Sequence, residues 1–364
     1  MFSHAFESIG KKLNLVMARH EHVSDLLIRG GEINEAFLEM GSGFANDVAA
    51  VIKRGRPGNL YDAVVSSHFD ADRLDYMQRD RLMTGLQNGG IDFTWLMANL
   101  EVGRIKTGVD QETVGEVDTF VLGPKALYAA EAYVLALFQL YPTIYFHKAT
   151  RAAEKLFSAL ILQIISLVRE GHANKIGLPK SHPLIRFASA PNLLDNALAL
   201  DDAVFWGALP MLSEARDLQL RELAVRIRDR RLSKCTDVRA RIVSAIGLGV
   251  TTDSKKREQL KKRLERLVIS IESKLERWSE LHSNDMPRIL TDRAIRDPYK
   301  RFEESTGLLN QILIRLTDRK IIDVASCSSF IRAIESFELF RAYTDDDEAK
   351  RFVDSTVEDE LRRS

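Results

Sequence analysis

The sequence predicts a mainly α fold with a few short β-strands toward its C-terminus, and three patterns predict it. Apolar residues recur at helical spacing over 124–141, where Ala130, Tyr133, Val134 and Leu137 fall on one stripe. They recur over 256–281 at Leu260, Leu264, Leu267, Ile271 and Leu275, intervals of three and four that describe one long amphipathic helix. Runs of β-branched residues mark 308–314 and 321–325 as strands.

At 364 residues the chain is long enough for two domains. The segment 171–192 collects Gly171, Gly177, Pro179, Pro183 and Pro191 and reads as a linker, which divides a first domain over 1–170 from a second over 193–364. In that second half 198–228 is helical, with Asp201 and Asp202 placed to cap a helix start rather than to share a ligand site. The apolar run 156–168 is interrupted by Ser158, Gln163 and Ser166 and falls short of the ~20 residues a membrane span requires, so it reads as a buried helix.

The charge balance argues against a surface that coats nucleic acid, since 52 basic side chains offset 52 acidic ones. Local patches stay open. The basic flank over 255–263 has the residue types to bind a nucleotide effector or nucleic acid, but its mixed signs read first as a solvated helix face rather than a site. Cys235 and Cys327 are far apart and lack metal-ligand spacing, which points away from a disulfide framework and toward the cytoplasm.

The densest chemistry lies in Ser66-Ser67-His68-Phe69-Asp70-Ala71-Asp72-Arg73-Leu74-Asp75-Tyr76-Met77-Gln78-Arg79-Asp80. At about 100° per residue Asp72, Tyr76, Arg79 and Asp80 share one helix face, with Leu74 and Met77 turned toward another. Such a face suits a metal ion or a phosphate. It also suits a solvated charged helix laced by i, i+4 pairs such as Asp75 with Arg79.

This window resembles the last metal motif of the HD-superfamily phosphohydrolases, in the branch of the deoxynucleoside triphosphate triphosphohydrolases, which reads S-S-x-x-D-A-D-R-x-D-Y-x-x-R-D. The resemblance covers about the first 170 residues well and implies an HD-domain helical bundle. It makes Asp72 a ligand of a divalent ion (Mn, Mg, Fe, Co or Ni) and places Arg73, Tyr76 and Asp80 along a nucleotide pocket. Further on, Tyr145-Phe146-His147-Lys148 looks like the family's Y-x-H-K, which implies Tyr145 as the nucleotide floor and Lys148 toward phosphate, with Arg151 three residues on. An ordinary aromatic stripe of Phe138, Tyr141 and Tyr145 explains the same spacing. The family's vertebrate nucleotidase carries histidine and arginine one and two turns before that tyrosine. Here Tyr141 and Leu137 stand there, so the resemblance leaves base and sugar preference open.

The chain opens on Phe2-Ser3-His4-Ala5-Phe6-Glu7, which is similar to the family segment directly after its H-D dipeptide. Of four metal ligands in the family, Asp72 alone has a counterpart, and one carboxylate does not fix a metal's coordination. The expectation is that the missing ligands precede Met1 in the complete protein. Arg19-His20-Glu21-His22-Val23-Ser24 resembles H-E-x-x-S and implies His20 as general acid, with His4 and Glu7 beside the triphosphate. The implied activity is hydrolysis of a dNTP to deoxynucleoside and triphosphate by a homo-oligomer. The alternative is a non-catalytic nucleotide sensor or scaffold built on an HD remnant.

Overall fold

The computed structural model describes residues 3–55, 57–87, 89–109, 112–282, 287–300 and 308–363. Helices α1 (Ser3–Leu13), α2 (His20–Arg29), α3 (Gly31–Phe37), α4 (Phe44–Arg54), α5 (Leu60–Ser66), α6 (Ala71–Thr84) and α7 (Phe93–Ala98) precede a hairpin of β1 (Leu100–Val109) and β2 (Glu112–Leu122). Then come α8 (Leu127–Leu140), α9 (Lys148–Arg169), α10 (Pro183–Ser189), α11 (Leu194–Leu198), α12 (Asp202–Leu212) and α13 (Leu218–Arg228). The remainder runs β3 (Lys234–Asp237), α14 (Val238–Ile246), α15 (Ser254–Leu281), β4 (Ile289–Arg296), β5 (Leu313–Arg315) and β6 (Ile321–Asp323), followed by α16 (Val324–Cys327), α17 (Ser329–Ala333), β7 (Phe337–Thr344) and α18 (Asp347–Arg363). The fold is mainly α with short strands in its C-terminal part, as the periodicity predicts. Among the described residues no helix is long and apolar enough to cross a membrane.

These elements form two compact units, each assembled from separated stretches of chain. One unit comprises His20–Tyr145 and Arg296–Phe337, the other Met1–Arg19, Phe146–Ile295 and Glu338–Ser364.

In the first unit α8 is apolar almost all round and is correspondingly buried, with Tyr133, Val134, Ala136, Leu137 and Leu140 packed against Phe69, Leu74 and Met77 of the 66–80 window. A four-stranded sheet of order β1-β2-β5-β6 completes it. β1 and β2 pair antiparallel from Leu100↔Leu122, and β2 meets β5 in parallel at Leu122↔Ile314. The hairpin is an addition to the predicted strands. Its signal is the alternation of Arg104 with Ile105 and of Asp118 with Val121 on opposite faces, which buries Ile105 and Val121 and leaves Arg104 and Asp118 ion-paired at 2.8 Å in solvent.

The two predicted C-terminal strands are shorter than their β-branched runs. Residues Leu308–Asn310 form a tight helical turn, with the Asn310 carbonyl accepting from the His68 amide at 3.0 Å, and extended backbone begins at Leu313. β6 stops at Asp323 because that side chain caps the next helix, accepting from the Ala325 amide at 2.9 Å.

In the second unit the apolar stripe of α9 (Leu156, Leu160, Ile161, Ile164) packs against Phe6 and Ile9 of α1 and against α10, α12 and α13. A second core joins α14, α15 and α18 to β7, with Leu264, Leu267, Ile271 and Leu275 of α15 buried as the spacing predicts. A three-stranded sheet runs β3-β7-β4. Asp201 caps α12, accepting from the Val204 amide at 2.6 Å.

The stretch 171–192 is packed rather than a linker. Ile176, Leu184, Ile185 and Phe187 are core residues, and Pro183 opens α10, where its fixed φ suits a first turn. Its glycines permit tight turns: Gly171 and Gly177 have φ of +78° and +85°. The units accordingly interleave along the chain instead of dividing at this segment, because α1 folds onto α9–α13 while 20–145 builds its own core.

A β-carbon at Gly177 would stand 3.2 Å from the Met211 carbonyl oxygen in a left-handed backbone. Gly177→Ala is therefore expected to destabilise the protein by about 1–3 kcal/mol, measured as a lower urea midpoint at unchanged slope.

Candidate functional site

The 66–80 window is not one helix. α5 ends at Ser66, a turn over 67–70 follows, and α6 begins at Ala71. Ser67 Oγ accepts from the Phe69 amide at 3.1 Å, and Asp70 caps α6, accepting from the Arg73 amide at 2.8 Å. The Arg73 guanidinium donates both to the other Asp70 oxygen and to the Ser67 carbonyl, so it is tied back on the turn that precedes it. Burial works against its charge, and the Asp70 carboxylate together with the oxygens of Tyr133, Tyr76 and Tyr141 offsets this and holds the guanidinium above its ordinary pKa.

Behind this turn stands His68. Its ring lies 5.1 Å from that of Tyr299, its carbonyl accepts from Tyr133 Oη at 2.9 Å, and its Nε2 has no hydrogen-bond partner among the described residues. Burial, with Arg73 and Lys300 in support and Asp297 in opposition, lowers its pKa to about 4.

Facing the middle of α6 is a cluster of phenols. α8 gives way to a wide π-helical turn over Tyr141–Tyr145, where Pro142 has no amide hydrogen to continue the ladder. The helical run is thus interrupted after Leu140, and α9 starts afresh at Lys148 with His147 as cap, Nδ1 accepting from the Ala149 amide at 3.3 Å. The turn brings Tyr145 within 5.8 Å of Tyr141 and 6.1 Å of Tyr76, both edge-on, and Tyr145 Oη donates to Asp80 Oδ2 at 2.8 Å. Burial raises the pKa of Tyr76, Tyr141 and Tyr145, reinforced at Tyr145 by the Asp80 hydrogen bond. All three are neutral hydroxyl donors at physiological pH.

Tyr76, Asp80 and Tyr145 are therefore brought together, Arg73 lies one turn before Tyr76 on the same helix, and Asp72 stands exposed on its first turn. Asp80 also lies 3.4 Å from Arg79, which pairs with Asp75 at 3.1 Å in solvent, the i, i+4 pair read from the sequence. His20 opens α2, half exposed, its Nε2 3.4 Å from Glu21. Glu7 pairs with Lys11 at 3.0 Å on α1, and Lys148 is exposed at the start of α9. The His4 side chain lies outside the described residues.

Arg151 is corrected. Its guanidinium binds Asp292 bidentately, with Nε at 2.8 Å, and reaches Glu154 at 2.6 Å, so it is spent on a buried ion pair rather than held for phosphate. The sequence reading missed His68 and the part Tyr141 plays. The available signals were the Asp cap before α6 and a proline inside an apolar helical run, which marks a break.

No family model matches this chain. It is 26% identical over 234 residues to the uncharacterized protein YwfO of Bacillus subtilis, across 64% of this chain and 48% of that one. To the uncharacterized protein MJ1154 of Methanocaldococcus jannaschii it is 29% identical over 119 residues, across 32% of this chain and 24% of that one. The match spans about half the length of the first relative and less of the second. Among solved structures, a phosphohydrolase from Bacteroides thetaiotaomicron superposes with a TM-score of 0.62 at 19% identity, covering 93% of this chain and 75% of its own. The chain shares that phosphohydrolase's fold. A hypothetical protein from Aquifex aeolicus superposes with a TM-score of 0.57 at 16% identity, covering 99% of this chain and 84% of its own.

On this phosphohydrolase fold the question of a metal turns on the donors around Asp72. Among the described residues, no group of three His, Cys, Asp or Glu ligand atoms includes it. One exposed carboxylate does not make a metal centre, so the described residues do not fit an ion at this position.

His68 makes the site acid-sensitive. Its folded pKa lies below its unfolded value, so the unfolded state binds more protons between about pH 6.5 and 4 and stability falls as pH falls through that window. The loss from this group is expected to be on the order of 3 kcal/mol, read as urea unfolding free energies at pH 7 and pH 4. His68→Gln is expected to flatten that pH dependence, and an equally steep profile in the variant would remove His68 as its source.

Proposed function

We propose that this chain binds a nucleotide against α6 and the Tyr141–Tyr145 turn, as part of a phosphohydrolase similar to the HD-superfamily dNTP triphosphohydrolases. The observation that carries the reading is the hydrogen bond from Tyr145 to Asp80, which joins the two motifs that resemble that family and sets an aromatic face one turn from Asp72.

In this reading the rings of Tyr145 and Tyr76 supply apolar edges and faces for the sugar and base, and the phenol of Tyr145 holds Asp80 in place. Asp80 keeps acceptor capacity for a sugar hydroxyl. Arg73, already braced by Asp70, contributes positive potential beside the phosphates without reorganising, and Lys148 is assigned to the phosphates by resemblance alone. By resemblance His20 is the proton donor to the leaving oxygen, with His4 and Glu7 assigned beside the triphosphate in the same way. The reaction class is hydrolysis of a dNTP to deoxynucleoside and triphosphate, in a homo-oligomer. Asp72 corresponds by resemblance to a family carboxylate for a divalent ion, and the described residues give it no companion ligands.

That donor set also favours the second reading, a nucleotide sensor or scaffold that binds without hydrolysis. Binding and turnover separate the two. The 364-residue chain is expected to bind dNTP with little Mn²⁺-dependent release of triphosphate. Loss of a stacking face costs about 1–3 kcal/mol, so Tyr145→Ala should weaken dNTP binding by about fivefold to more than a hundredfold. Unchanged affinity in both Tyr145→Ala and Asp80→Ala would place the nucleotide elsewhere.

A further inference from the structure

The outward face of α15 carries a strip of cations that the nucleotide reading does not use. Over 254–266 the helix holds seven lysines and arginines against two glutamates, in a chain of zero net charge. At about 100° per residue Lys255, Lys262 and Arg266 fall within about 40° of one another, opposite the seam of Leu264, Leu267, Ile271 and Leu275 that is buried against the core. All three are exposed. Glu265 is taken up by Arg293 of β4, and Glu258 lies 3.7 Å from Lys262 in solvent, where such a pair is worth a few tenths of a kcal/mol. Among the described residues Lys255, Lys256 and Arg266 have no acidic side chain within ion-pair distance. The cap residue Asp253 spends its carboxylate on the Lys256 amide at 2.8 Å.

The surroundings of the strip narrow the polyanion it fits. The apolar seam of α15 is committed to α14 and α18, so the helix has no free face to press into a membrane. No aromatic ring stands on the strip for bases to stack on: Trp278, further along the helix, stacks on Phe352 and His282 instead. What remains is a rigid line of cations about 16 Å long, a surface for phosphates and not for bases. We propose that α15 is a docking surface for duplex nucleic acid, held through phosphate contacts from Lys255, Lys262 and Arg266 and indifferent to base sequence.

The test is fluorescence anisotropy of the full chain with a short random-sequence DNA duplex. Three phosphate contacts predict that affinity falls at least about 40-fold between roughly 50 and 200 mM salt, a slope of about −0.9 per contact. Lys255→Glu/Lys262→Glu/Arg266→Glu should lose that binding. The corresponding triple glutamine variant, which keeps helix propensity, should shallow the slope by about 3, with circular dichroism checking that both stay folded. Wild-type affinity in both variants overturns the proposal, as does tighter binding of a single strand of the same length. Capture by anionic phospholipid vesicles without duplex binding would overturn it too.

Discussion

The carboxylate of Asp70 is buried, with one oxygen on the Arg73 amide and the other on the Arg73 guanidinium, and the direction in which α6 leaves that point follows from it. A side-chain cap of this kind is worth about 0.5–2 kcal/mol, and removing one member of a buried ion pair costs about 3–5 kcal/mol. Because the same arginine also reaches the Ser67 carbonyl, the turn and the helix start are a single unit. Asp72, Tyr76 and Asp80 inherit their placement from it, as fixed offsets along a helix whose first residue cannot slide. The neighbouring His68 shows the tension in this arrangement, since it is buried with an unpartnered ring nitrogen among the described residues and stays neutral as a result.

The other unit is organised by a comparable device in a different chemistry. Asp292 of β4 has no exposed surface and is met by Arg151 and Lys155 of α9. Burial opposes its charge, and the two cations outweigh this and keep the carboxyl below its usual range. The network anchors the sheet residue to the longest apolar helix of its core. It also explains why Arg151 is unavailable for phosphate despite standing three residues from Lys148.

Much of the helical architecture was legible because its signals are local. The stripes over 124–141 and 256–281, the Asp201 cap and the charged face of α6 each depend on residues within a few turns of one another, and each is observed. The hairpin at 100–122 was equally local in its alternation and went unread. The boundaries of 308–325 were not local: Asn310 is fixed by His68 and Leu313 by pairing with Asp323, partners far away or across a turn.

By itself the sequence determined the helix periods, the caps and a motif whose residue types suit a phosphate or a metal. Tertiary structure alone decided that Tyr145 meets Asp80, that Arg151 turns inward to Asp292 and that 171–192 is core rather than linker. The physical reason is the same in each case. Spacing along a helix fixes which side chains share a face, whereas the partner that face meets comes from a segment with no sequence relation to it, and burial then selects the pairing that leaves the fewest polar groups unsatisfied.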